Sequence, residues 1–158
     1  MTYIKKNFFI IFLFIYFVFG AFYSLNNGLS FDEFHEQRNW EYNVALVKHI
    51  LFKAELDPIF NNYPDKYYGI GFQIFSQPIQ LFLADIILKF QEINNYGAHL
   101  LAKHFVVFIT FFISGIFVYL IILKIVNNKY FCTIATFLYL TYPYLLGHGL
   151  FNPKDIPF

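Results

Sequence analysis

Residues 104–126 read HFVVFITFFISGIFVYLIILKIV, an apolar run closed by Lys124. Few folds can take such a run. It is longer than an ordinary core strand, and it matches the roughly 20 residues that cross the hydrocarbon core of a bilayer as a helix. A second run, FFIIFLFIYFVFGAFY at 8–23, follows Lys5 and Lys6. A cleavable signal peptide has a similar layout but ends in a small-residue cleavage site. Gly20-Ala21-Phe22-Tyr23-Ser24 carries two aromatics there, so a retained anchor over 8–25 is expected. After the short turn Asn127-Asn128-Lys129, residues 130–146 (YFCTIATFLYLTYPYLL) form a third expected span. Pro143 lacks a backbone donor and would loosen its last turn.

Composition supports this all-α integral membrane reading. Of 158 residues, 58% are hydrophobic and 13% charged, against about 25% charged in a soluble domain. The net charge of +1 makes no electrostatic case for nucleic acid as a partner. Cys132 is the single cysteine and can form no internal disulfide. No expected span carries the central charge that marks an ion path, which argues against a channel or transporter.

The segment 72–90, FQIFSQPIQLFLADIILKF, is interrupted by Gln73, Gln77, Pro78, Gln80, Asp85 and Lys89. An interfacial or re-entrant helix fits it better than a span. Lys5, Lys6, Lys124 and Lys129 flank short polar segments, which places those segments in the cytoplasm. The N-terminus is then inside. Residues 26–103 form an external loop with amphipathic surface helices, and the tail 147–158 is external too. The expected organisation is a single membrane domain over 1–158 in contact with lipid.

Two polar constellations fall on that outer face. In the first, Ser30 followed by Glu33 is a capping-box pattern that opens a helix over about 31–53. Trp40, Val44, Val47 and Leu51 form its apolar stripe. Asp32, His35 and Glu36 share one helical face. Asp32 is the candidate base, with Glu33 either its companion or simply part of the cap. His35 and Glu36 are a weak alternative as metal ligands; a hydrogen-bonded surface histidine is the commoner role. In the second, Gly147 and Gly149 flank His148, so the backbone there is expected to turn freely and approach a ligand. Lys154 and Asp155 lie between Asn152-Pro153 and Ile156-Pro157. A solvated loop would account for them, but Lys, Asp and His at a membrane exit also suit phosphate binding and acid/base work.

The order of these motifs resembles the GT-C superfamily of membrane glycosyltransferases, in the group of protein O-mannosyltransferase and aminoarabinose-transferase-like enzymes (glycosyltransferase family 39-like). Asp32-Glu33 just beyond the first span, Tyr67-Tyr68-Gly69 in the loop, and the phrase Gly147-His148 through Phe158 carry the likeness. It implies transfer of a sugar from a polyprenyl-phosphate donor to an acceptor at the outer face of a bacterial inner membrane, with inversion. Asp32 would be the base. Lys154 and His148, and more weakly Arg38, would hold the donor phosphate, and Asp155 would orient the acceptor or Lys154. Some members use a divalent metal and others do not, so none is obligatory. Members are much longer, so the chain is expected to be the N-terminal portion of such a fold, with a fourth span after Pro157. The competing expectation is a small non-catalytic membrane protein that binds a larger membrane-protein partner through its aromatic helices.

Overall fold

The computed structural model describes residues 2–28, 30, 32–64 and 70–153, with side chains from Phe8 onward. All regular structure among them is helical. The order is α1 (Thr2–Ser24), α2 (Glu33–Phe52), a 3-10 turn (Pro58–Asn62), α3 (Gly71–Phe90), α4 (Asn95–Val126), α5 (Lys129–Thr141) and α6 (Pro143–Gly149). The chain divides into two compact units, Gly28–Gln77 and the remainder. Phe, Ile and Tyr favour strands in water. A long run of them is helical where no solvent can pair the backbone, because only the helix satisfies every amide within one segment.

Two helices, α3 and α4, are long and apolar enough to cross a membrane. Only 17% and 28% of their most apolar windows are buried in the chain, whereas the core helix of a soluble protein would be mostly covered. Phe14, Phe82, Phe117, Ile125 and Leu138 are among many large apolar side chains left exposed. These features suggest a membrane protein. The apolar part of α1, Phe8–Ser24, is shorter.

Three expectations change. The segment 72–90 is one continuous helix with Pro78 inside it, and it passes the length and apolarity criteria of a span. Its polar residues are accommodated locally: Gln80 and Ser76 are buried, and the Ser76 hydroxyl donates to the Phe72 carbonyl at 2.7 Å. The second expected span begins earlier than residue 104. The Asn94 side chain accepts the Gly97 N–H at 2.7 Å and starts α4 at Asn95. The third expected span, 130–146, is two helices. Tyr142 is extended (φ −61°, ψ 119°) because the ring of Pro143 excludes the helical region for the residue before it. Pro143 then opens α6, where a missing N–H costs nothing. The thirteen residues of α5 are too few for a crossing of ordinary length.

The turn at Asn127-Asn128 forms as expected. Asn127 adopts the left-handed conformation (φ 49°) that ends α4. The Asn128 side chain accepts from Tyr130 and Phe131 N–H and starts α5.

In the larger unit α4 is the common partner of α1, α5 and α6. Ring pairs run Phe9–Tyr119, Tyr16–Phe112 and Phe17–Phe105, so α1 and α4 are antiparallel. Glycines admit the closest approaches. A Cβ on Gly20 would enter the Phe108 ring, one on Gly115 would lie 2.5 Å from Leu140, and one on Gly149 would lie 2.5 Å from Phe111. Small residues bring α3 and α4 together as well, where Ala84, Ala98 and Ala102 are fully buried beside Leu83, Ile87, Leu88 and Ile93. Two polar links cross the packing. Tyr16 Oη donates to the Leu140 carbonyl at 2.8 Å, and Ser114 Oγ bonds Tyr139 Oη at 2.8 Å.

In the smaller unit, α2 packs Tyr42 against Phe60 and Tyr63, with ring centroids 5.1 and 5.9 Å away. Its buried positions are Glu33, Asn39 and Tyr42. The expected apolar stripe faces away from these: Val47 and Leu51 are exposed, and Trp40 and Val44 are half-buried.

Two glycine-to-alanine changes test the packing. Gly115→Ala should destabilise the helices by about 1–3 kcal/mol, because Leu140 must move off its rotamer. Gly147→Ala meets nothing within 4 Å and should be neutral or stabilising by up to about 1 kcal/mol. Thermal unfolding in detergent, followed by helical circular dichroism, checks both signs.

Candidate functional site

The first constellation occupies the opening turns of α2. Glu33 is 2% exposed, and its carboxylate Oε2 accepts the Ser30 N–H at 2.8 Å. That contact is half of the capping box and gives Glu33 a structural task. Asp32 stands at the N-cap itself, exposed, and its side chain makes no capping hydrogen bond. Two adjacent carboxylates thus have separate employments. Glu33 closes the helix start, while Asp32 presents its carboxylate beside the first-turn N–H groups, where negative charge is favoured.

His35 is exposed and Glu36 half-buried one turn further on. The Tyr63 hydroxyl lies 3.5 Å from the His35 carbonyl, a contact at the outer limit of hydrogen bonding. Among the described residues, no group of three or more His, Cys, Asp or Glu side chains is placed to hold a metal ion. Arg38 lies with its guanidinium carbon 5.0 Å from the centre of the Phe34 ring, a cation–π contact four residues apart on the helix.

The second constellation is only partly within the described residues. Lys154 and Asp155, like Tyr67-Tyr68-Gly69, lie outside them. His148 is in the last turn of α6. Its ring centroid is 4.4 Å from that of Tyr144 and 6.3 Å from that of Phe151. Asn152 Nδ2 lies 2.6 Å from its Nδ1.

The flanking glycines do not act as expected. Both belong to α6, and no described glycine has a positive φ. Gly149 is there because α6 seats on Phe111. What frees the chain to turn is the end of the helix, where the Asn152 N–H closes back on the His148 carbonyl at 2.8 Å.

The structure adds residues that the sequence reading passed over. Lys103 and His104 lie on α4 and are buried, 9% and 0% exposed. The His104 ring is 6.3 Å from Phe151, which also faces His148. Adjacent basic residues at the head of the longest apolar run were the available signal, hidden because the run was taken to begin there. Within the larger unit, Lys103, His104, Tyr144, His148 and Asn152 therefore gather at the N-terminal part of α4.

No family model, curated protein or solved structure matches the chain.

The cap assignment is testable. Glu33→Ala should fray the start of α2 and cost about 1 kcal/mol. Glu33→Gln should retain most of it, because a glutamine carbonyl also accepts the Ser30 N–H. Hydrogen exchange at Ser30 and along the first turn reads the difference.

Proposed function

We propose that the chain is an integral membrane protein of the inner-membrane type. In this reading it transfers a sugar from a polyprenyl-phosphate donor to an acceptor at the outer face. The observation that carries the reading is the polarity of α4 and its partners. His104 and Lys124 stand about 30 Å apart along the helix, the thickness of a hydrocarbon core. Lys124 and Lys129 mark one end. The antiparallel packing brings the α1 start, with Lys5 and Lys6 in its sequence, to that same end. The histidine, amide and Tyr144 cluster marks the other. The exposed lysines at one end, Lys124 and Lys129, fit a cytoplasmic face; the buried Lys103 and the polar groups beside it at the other fit a site that meets a lipid-borne substrate.

The chemistry needs three functions. The acceptor hydroxyl attacks the anomeric carbon and inverts it, while a carboxylate takes the hydroxyl proton. Asp32 has that role, because the cap occupies Glu33. The bond from the anomeric carbon to the phosphate oxygen breaks, and the departing phosphate needs donors or cations. His148 and Lys154 supply them, with Arg38 the weaker candidate because Phe34 already engages it. Asp155 orients the acceptor or Lys154. No step in this scheme requires a metal.

Asp32→Asn in the full chain should lower transfer of labelled sugar from polyprenyl-phosphate donors by at least about 100-fold. Resistance of the protein to alkaline extraction from membranes should be unchanged. Transfer at the wild-type level would remove Asp32 as the base. A chain released by alkaline extraction would remove the membrane reading altogether.

A further inference from the structure

The contact between Asn152 and His148 carries more information than its distance. The amide nitrogen of asparagine can only donate. At 2.6 Å from Nδ1 of His148 it therefore requires an unprotonated Nδ1, and the proton of a neutral imidazole is then on Nε2. The arrangement is held from both sides. The Asn152 backbone N–H donates to the His148 carbonyl at 2.8 Å, and Phe151 N–H donates to the same carbonyl at 3.2 Å. This fixes the two residues one turn apart. Tyr144 covers the imidazole with a ring centroid at 4.4 Å, and Gly149 is pinned against Phe111. Backbone, ring and amide together leave His148 little rotational choice.

We propose that Asn152 is a positioning residue that holds His148 in the Nε2–H tautomer, so that the imidazole acts as a hydrogen-bond donor toward an anionic oxygen. The role of the donor rests on the transferase reading, in which that oxygen belongs to the departing phosphate. The tautomer itself does not depend on it. His148 is then not a second base: it gives a fixed N–H to developing negative charge, while the proton of the acceptor goes to Asp32. Which ring nitrogen carries the proton is set by the bond made at the other, and here the partner is four residues away in the same short segment.

The test uses the full chain labelled with ¹⁵N-histidine in detergent micelles, above the pH at which its imidazoles are protonated. Long-range ¹H–¹⁵N correlation spectra read the tautomer, and His148→Gln assigns the signals. The wild type should show an unprotonated Nδ1 and a protonated Nε2 for His148. Asn152→Asp, whose ionised carboxylate only accepts, should move the proton to Nδ1 while helical circular dichroism is unchanged. A wild-type His148 protonated at Nδ1, or an unaltered pattern in Asn152→Asp, would overturn the proposal. The wild-type spectrum decides alone should the variant fail to fold. If the tautomer is as stated and the wild-type chain transfers no sugar from polyprenyl-phosphate donors, the transferase reading fails and the positioning of His148 by Asn152 stands.

Discussion

The close approach of glycine to aromatic ring along α4 is the constraint on which the larger unit depends. A chain with 24 Phe and 13 Tyr must find room for many large rings. Bulky rings on every helix would hold the axes apart and leave voids between them. Gly20 against Phe108, Gly115 against Leu140 and Gly149 against Phe111 solve this at three levels of one helix. In an apolar surrounding, where neighbouring helices compete with lipid, such fitted contacts are a main source of association. The position of His148 follows from the same device, because α6 rests on Phe111 through the residue next to it.

Much of this was legible in the residues. The uninterrupted run ending at Lys124 could only be a long helix, and Asn127-Asn128 announced its turn through a left-handed end followed by a capping side chain. Ser30 and Glu33 marked the start of α2 to within two residues. The failures share a cause. The polar residues in 72–90 were weighed only against lipid, but Ser76 bonds its own backbone and Gln80 is buried, so the helix there is more apolar on its exposed side than its sequence suggested. Pro143 was read as loosening a turn. Its stronger effect falls on Tyr142, which it forces out of the helix. Hydropathy along a chain cannot distinguish a polar group facing lipid from one turned toward a neighbour.

For the candidate site, residue types were readable and employments were not. The capping pattern had offered Glu33 a structural role beside the candidate base Asp32, and the bond from the Ser30 amide to the Glu33 carboxylate agrees with that half of the reading. His148 stood out between glycines, yet its partners Tyr144 and Asn152, four residues away on either side, became visible only once α6 was seen to be a helix. Lys103 and His104 were passed over because they sit where a polar loop was expected to end. Lys103 and His104 give the early part of α4 a buried basic pair, and Lys124 stands exposed in its last turn.

The break at Tyr142 has a consequence for how the chain is built. A helix stopped there leaves carbonyls of its last turn without amide partners, and the Leu140 oxygen is taken up by the hydroxyl of Tyr16. The group that completes the end of α5 is thus supplied by the first helix synthesised. The two partners are 124 residues apart in the chain, so the end of α5 is completed only after nearly the whole chain has been made. The first helix thereby closes the end of the fifth, and the two extremes of the larger unit are tied by a single hydroxyl.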